Sequence, residues 1–266
     1  MRLLTVAWIL GLVEGLTEFL PISSTGHLVL AAEALQFRGE RKELFLVFIQ
    51  LGAVLSVVWE YRDRLNRAAA DFPRGRSRRF FMHVFLAFVP SAALGLLLAD
   101  TITRLLFSPI TVAAALIVGG LLIFVVEALP HRVRTREAED IGWRQALGVG
   151  LAQCMALWPG FSRSAATILG GMAAGLDRRA ATEFSFFLAI PTMFAASLYK
   201  LFGSLVWLQP ADVVALALSF TTAFFVAWIT IRWLLRYVST HSFRTFAWYR
   251  LAVGSLVLWL VYVEWL

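Results

Sequence analysis

The stretch EGLTEFLPISSTGH, residues 14–27, lies inside the first hydrophobic segment of the chain, yet it carries two carboxylates, a run of hydroxyls and a histidine. Glu14 and Glu18 are four residues apart, so on a helix both carboxylates leave the same face. An ionised group at membrane depth costs at least about 2.5–3.5 kcal/mol on insertion scales, so such a pair is expected to face a cavity and to be functional. The competing reading is a helix lying flat in the membrane interface with both glutamates in water. Pro21 has no N–H and ends the helix, after which Ser23, Ser24 and Thr25 place hydroxyls and free backbone donors at the start of the next helical arm. That is the outline of an anion site. Gly26 allows close backbone approach. His27 is the side chain here whose charge changes near neutral pH, which suits it to proton transfer. A lone histidine at a turn is more often structural, and its neighbours, two acids and two serines, are what point to chemistry.

The rest of the chain sets this stretch in a membrane. Of its 266 residues 60% are hydrophobic and 15% charged, with a mean hydropathy of +0.76, well above the roughly 45–50% apolar content of soluble domains. Six segments reach or approach the roughly 20 apolar residues that a crossing helix needs: 44–59, 80–99, 109–129, 184–205, 213–235 and 246–266. The net charge of +7 does not indicate a nucleic-acid partner, because most arginines sit in short loops between spans, where they act as topology signals. Cys154 is the only cysteine, which excludes an intrachain disulfide and a cysteine-cluster metal site.

Two further hydrophobic segments are polar at their centres: 3–37, broken at LPISSTG, and 143–176, broken at WPGFSRS. Each arm is about a dozen residues long, enough at 1.5 Å per residue for about half of a 30 Å hydrocarbon core, which predicts two re-entrant helical hairpins. The two align at a constant offset of 139, Gly11 with Gly150, Glu14 with Gln153 and Ser23 with Ser162. Three spans follow each hairpin, so the expected architecture is an all-α polytopic membrane protein. It forms a single membrane domain over 1–266, an inverted repeat of two five-helix halves (1–129 and 130–266) with six transmembrane helices and two re-entrant hairpins. The arginines of 61–79 and 130–144, with Arg178, Arg179, Arg236 and Arg244, then share the cytoplasmic side. The segment PRGRSRR reads as a solvated basic loop. Trp59, Tyr61, Trp207, Trp233, Tyr237, Trp248, Tyr249 and Trp265 read as interface anchors, and Gly119-Gly120 as a site of close helix packing.

The second break, PGFSRSAAT at residues 159–167, complements the first. Pro159-Gly160 makes the turn, Ser162, Ser164 and Thr167 offer hydroxyls at a half-helix N-terminus, and Arg163 is placed to grip a phosphate through two parallel N–H bonds. The alternative is a permanent ion pair of Arg163 with Glu14 or Glu18. Together the two hairpins supply acids, hydroxyls, an imidazole and a guanidinium, a set suited to phosphate ester or anhydride chemistry on a substrate whose apolar part lies in lipid.

EGLTEFLPISSTGH and ALWPGFSRSAATILGGM, supported by FIQLGAVLSVV and ATEFSFFLAIP, resemble the undecaprenyl-diphosphate phosphatase (bacitracin resistance protein) family essentially end to end. The resemblance implies hydrolysis of undecaprenyl diphosphate to undecaprenyl phosphate, recycling the carrier lipid for peptidoglycan synthesis. The enzyme would be a multi-pass protein of the bacterial inner membrane with its site facing the periplasm or exterior. Bacitracin would compete by sequestering the substrate, and a homodimer is left open. Carried over by position, the catalytic residues are Glu18, Ser24, His27 and Arg163, with Ser23, Thr25, Gly26, Ser162, Ser164 and Thr167 binding substrate. A divalent cation, Mg²⁺ or Ca²⁺, would be held by Glu14 and Glu18. Ala165 stands where the family commonly has glycine. Nucleophilic attack by Ser24, with Glu18 or His27 as base, competes with direct attack by water. The rival function is a lipid-phosphate transporter or flippase, which shares inverted repeats and broken helices but needs no nucleophile. The acid-phosphatase-like pattern, K-x6-R-P followed by P-S-G-H and S-R-x5-H-x3-D, is disfavoured, since Leu169 occupies its histidine position and no K-x6-R-P occurs.

Overall fold

A computed structural model describes residues 2–37, 39–72, 75–130, 132–204 and 209–263. Eleven α-helices account for most of them. The first broken segment forms α1 (Arg2–Thr17) and α2 (Ser24–Ala34), followed by α3 (Glu40–Glu60), α4 (Arg62–Ala70), α5 (Gly75–Leu106) and α6 (Pro109–Ala128). The second broken segment forms α7 (Trp143–Gln153) and α8 (Arg163–Ala173), followed by α9 (Arg178–Ser204), α10 (Val213–Val238) and α11 (Arg244–Tyr262). Extended pairing among the described residues is confined to an isolated bridge between Thr135 and Leu176. Six helices are long and apolar enough to cross a membrane: α3, α5, α6, α9, α10 and α11. The chain is an all-helical, multi-pass membrane protein.

The arms of the two broken segments are short for a physical reason. α2, α7 and α8 have 11 residues each, about 17 Å at 1.5 Å per residue, well below the roughly 30 Å of a hydrocarbon core. At each break a serine leaves the right-handed region: Ser23 has φ 70° and Ser162 φ 78°, and both serve as N-caps. Ser23 Oγ accepts from the Gly26 N–H at 3.4 Å and Ser162 Oγ from the Ala165 N–H at 3.2 Å. These caps satisfy donors that a helix start otherwise leaves unpaired. The methyl of Ala165 is fully buried, so the departure from glycine is accommodated by packing.

Helix contacts bring the breaks together. α10 packs on α1 and α3, α7 on α5 and α8, α9 on α3 and α8, and α11 on α6. Glycines make the tightest crossings possible: a Cβ on Gly11 would lie 2.6 Å from the Ser219 carbonyl oxygen, and one on Gly150 2.5 Å from that of Ala87. Near the first turn, Phe19 is fully buried edge-on against Phe186, with ring centroids 5.4 Å apart.

The basic segment 61–79 departs from the loop expectation. Its described part is helical, as α4 and the first turns of α5. Arginine and alanine are good helix formers, and Asp63 in the first turn complements the dipole of α4. Two of its arginines are also paired with acids elsewhere in the chain. Arg64 bonds Glu139 and, at 2.9 Å, Glu183, while Arg76 bonds Asp140 at 2.7 Å and Glu137 at 3.1 Å. Burial opposes ionisation of Glu139, but the hydrogen bond and charge of Arg64 outweigh it and hold that carboxyl below its usual range. Among the expected interface anchors, Tyr61 is buried against Phe187. Trp207 and Trp265 lie outside the described residues.

Candidate active site

Glu18 follows α1 in the first turn and stands between the two hairpins. One carboxylate oxygen, Oε2, accepts a short hydrogen bond from Ser24 Oγ, and the other, Oε1, accepts from Arg163 Nη2 at 3.2 Å. The ion pair is largely buried, with 8% of the Glu18 and 11% of the Arg163 side chain exposed. Arg163 Nη1 donates to the Ser185 carbonyl at 3.0 Å, the guanidinium lies 5.6 Å over the Phe19 ring, and Nε is buried with no hydrogen-bond partner. Thus the ion pair weighed as an alternative for Arg163 does form, with Glu18. It leaves one buried N–H of the guanidinium unsatisfied, which a phosphate oxygen is suited to accept.

Glu18, Ser24 and Arg163 line a cavity of about 480 Å³, together with Ser23, Thr25 and Ser162. The N-termini of α2 and α8 both open at this wall, and their first backbone N–H groups have no partner within the helix. The remaining candidates lie behind it. Ser164 Oγ donates to the Leu20 carbonyl at 2.7 Å, stitching α8 to the first turn, and Thr167 Oγ1 shares a 2.7 Å hydrogen bond with Ser185. Gly26 packs on Leu116 and Val112 of α6. These three shape the wall rather than face the cavity.

His27 is turned toward α11. Nδ1 lies 2.7 Å from the Ser23 carbonyl and Nε2 2.7 Å from Tyr249 Oη, and the two rings are nearly parallel at 6°. A carbonyl only accepts, so Nδ1 carries the proton and Nε2 accepts from the tyrosine. Both nitrogens are therefore engaged away from Ser24. Tyr249, expected as an interface anchor, is 42% exposed and is also the partner of His27.

Glu14 is 2% exposed, and its Oε2 has no hydrogen-bond partner. No group of three or more His, Cys, Asp or Glu side chains suited to a metal occurs among the described residues. A hard cation here would draw on Glu14, Glu18 and substrate phosphate oxygens, a donor set of the kind Mg²⁺ accepts. The orphaned oxygen of Glu14 fits that role. Gln50 and Gln153 serve as interhelical partners, Gln153 donating to Ser91 at 2.5 Å and Gln50 accepting from Ser197 at 3.2 Å.

The residue that sequence reasoning missed is Arg250, in the last crossing helix. It is fully buried. Nη1 donates to the Pro21 carbonyl at 3.0 Å, Nη2 to Gly160 at 3.3 Å and to Ala115 at 3.0 Å, and Nε to Leu116 at 3.1 Å. Pro21 and Gly160 are the turns of the two hairpins and stand at the same sequence offset that relates Ser23 to Ser162. One guanidinium thus ties both tips together. Gly119 makes the room, since a Cβ there would lie 2.0 Å from Nη2. The close packing expected of Gly119-Gly120 is real: Gly119 makes way for the Arg250 side chain, and Gly120 lies against the backbone of α11, where a Cβ would be 3.1 Å from the Ala247 carbonyl oxygen. An arginine within an apolar stretch, six residues past Arg244 at the start of α11, was the available signal.

A multi-pass helical membrane protein that buries an acid, a serine hydroxyl and a guanidinium on one cavity wall belongs to the class of membrane proteins handling lipid-borne anions. The chain belongs to the family described as bacitracin resistance protein BacA, whose model matches residues 7–256. It is similar to an undecaprenyl-diphosphatase of Nitrosospira multiformis, 52% identical over 99% of this chain and 98% of the relative. Proteins of the same name resemble it from Pseudomonas syringae pv. tomato, 49% identical over 95% of this chain and 92% of the relative, and from Dechloromonas aromatica, 50% identical over 96% and 94%.

Proposed function

We propose that this protein hydrolyses undecaprenyl diphosphate to undecaprenyl phosphate and inorganic phosphate. It would thereby recycle the carrier lipid for peptidoglycan synthesis and confer resistance to bacitracin, which competes by sequestering the lipid. The observation that carries this reading is the Ser24–Glu18–Arg163 array on the wall of a cavity whose lining also includes apolar residues such as Leu96, Ala99 and Ile102. The names of relatives about half identical in sequence agree with it.

In the proposed reaction Glu18 takes the proton of Ser24 as Oγ attacks the terminal phosphorus. The bond from that phosphorus to the bridging oxygen breaks, polyprenyl phosphate leaves, and water then releases phosphate from Ser24. Arg163 and the helix N-termini stabilise charge on the transferred group. Glu18 is preferred to His27 as base because it alone is seen bonded to Ser24, and His27 instead fixes the Ser23 carbonyl against Tyr249. A divalent cation held by Glu14 and Glu18 would neutralise phosphate charge. Excess chelator is expected to abolish phosphate release and Mg²⁺ or Ca²⁺ to restore it. Unchanged turnover in chelator would remove the cation from the scheme.

The two halves, 1–129 and 130–266, are proposed to form an inverted repeat, on the strength of the matched serine caps and of Arg250 meeting equivalent turns. The proposed setting is the bacterial inner membrane, with the site open to the periplasm or exterior. A homodimer is compatible with this arrangement. A transporter would use the arginine and hydroxyls but would not need Ser24 bonded to a carboxylate.

The test is phosphate release from undecaprenyl diphosphate by purified protein in detergent, where no second compartment exists. Arg163→Ala is expected to lower the rate at least about a hundredfold, the scale of losing one transition-state charge partner. Wild-type release by that variant would take Arg163 out of the site, and no release by the wild type would overturn the reading.

A further inference from the structure

The two hairpin turns are matched in sequence offset and in backbone, yet one of them carries a clamp that the other lacks. Ser23 and Ser162 share a positive φ, which an L-residue keeps only where its surroundings over-determine it. At the second turn the backbone supplies this: the Ala166 N–H donates to the Ser162 carbonyl at 3.0 Å and the Ala165 N–H to Ser162 Oγ at 3.2 Å. At the first turn the same two bonds are stretched, each to 3.4 Å, from the His27 N–H to the Ser23 carbonyl and from the Gly26 N–H to Ser23 Oγ. A 2.7 Å bond from His27 Nδ1 to that carbonyl makes up the difference. At the same offset of 139 the counterpart of His27 is Ala166, whose side chain can make no such bond. The clamp thus sits on the turn that carries Ser24.

We infer that Tyr249 is a positioning residue for the nucleophile: by holding the His27 ring it fixes the Ser23 carbonyl and, with it, the backbone from which Ser24 reaches Glu18. The inference rests on the hydrolase reading and on Ser24 as the attacking group. A neutral imidazole can carry its proton on either nitrogen, and only the tautomer protonated on Nδ1 can donate to a carbonyl. Tyr249 Oη, 2.7 Å from Nε2, donates to that nitrogen and so keeps the proton on Nδ1. The two parallel rings, with centroids 5.5 Å apart, fix the plane of the imidazole. The next residue on α11, Arg250, holds the Pro21 carbonyl at 3.0 Å. Adjacent residues of α11 therefore grip the chain on either side of Ile22, just ahead of Ser24. Neither ring lines the cavity, so the effect passes through the backbone of the turn.

Tyr249→Phe keeps the stacked ring and removes the hydroxyl. Assayed with undecaprenyl diphosphate, it is expected to lower kcat about fivefold, the rate equivalent of one net hydrogen bond, with KM unchanged. A double variant separates positioning through His27 from a general structural role. With His27→Ala already present, Tyr249→Phe should cause no further loss, because the bond it removes no longer has an acceptor. Tyr262→Phe, 85% exposed on the same helix, should leave both constants at wild type. Nitrogen-15 NMR of protein labelled at its four histidines supplies a readout that needs neither turnover nor a folded variant of Tyr249. The ring whose signals vanish in His27→Ala should show a protonated Nδ1 and an unprotonated Nε2 in the wild type, and its Nε2 resonance should move in Tyr249→Phe. A wild-type kcat in Tyr249→Phe, losses that add in the double variant, or a His27 protonated on Nε2 in the wild type would overturn the inference. Failure of the hydrolase reading would show separately, as absence of phosphate release by the wild type.

Discussion

Replacing Ser24 with alanine is expected to slow phosphate release about a thousandfold, within the range of about 10²–10⁴ that a positioned nucleophile and base contribute through proton transfer. The expectation comes from the hydrogen bond of Ser24 to Glu18, a carboxylate whose other oxygen is held by Arg163. An alcohol bonded to a fixed carboxylate has its proton acceptor in place before the substrate arrives, so attack on phosphorus needs no further rearrangement of the protein. Glu18→Gln keeps the shape but cannot take the proton, and it should lose activity on the same scale. If the two residues act as one unit, the double variant should be hardly slower than either single one, since catalytic groups working together are strongly non-additive. Rapid-quench trapping distinguishes the route. Accumulation of phosphoserine at Ser24 during turnover establishes covalent catalysis. Absence of phosphoserine together with appreciable activity in Ser24→Ala would leave direct attack by water.

Much of this arrangement was legible in the sequence because membrane burial makes polar residues conspicuous. Glu18, Ser24 and Arg163 stood out against apolar surroundings, and their hairpins were marked by proline and glycine at the turns. They meet in the structure as that pattern implied. The roles of their neighbours were harder to read. Ser164 and Thr167 look like phosphate ligands in a linear motif, but Ser164 is one residue from Arg163 and so leaves a different face of α8, toward Leu20, while Thr167, one turn further into the helix, is taken up by Ser185. His27 suffers the same ambiguity, since its partner Tyr249 lies more than two hundred residues away and carries the signature of an interface aromatic. The arginines of segment 61–79 are mostly exposed, as expected, but its described part is helical rather than a loop, and Arg64 and Arg76 have acidic partners that its own residues do not reveal. Its partners Glu137, Glu139, Asp140 and Glu183 come from distant parts of the chain. Local pattern therefore located the chemistry, whereas the groups that aim it come from contacts between the two halves.

Arg250→Met is expected to destabilise the protein by about 2–6 kcal/mol, the cost of leaving two buried turn carbonyls without a donor at about 1–3 kcal/mol each. The four carbonyls that Arg250 serves are not equivalent. Those of Ala115 and Leu116 lie within α6 and retain helical hydrogen bonds, so the guanidinium uses only their second lone pairs. Those of Pro21 and Gly160 lie in the turns, outside helices, and losing their donor exposes each to a desolvation penalty of about 1–3 kcal/mol. The damage should therefore concentrate at the two hairpin tips, where Glu18 and Arg163 meet. Arg250→Lys retains the charge, but its compact ammonium cannot present the planar fork that spans both turns, so partial recovery of stability without full recovery of rate is expected. Gly119→Ala tests the same device from the other side, because the added methyl would occupy the space of Nη2. Thermal unfolding in detergent and phosphate release, measured together, decide the matter. Arg250→Met melting and turning over like the wild type would show that the hairpin tips hold their registry without it. A stable protein with a low kcat, improved by lysine, would show that the guanidinium acts on the reaction by fixing where the acid and the arginine face each other.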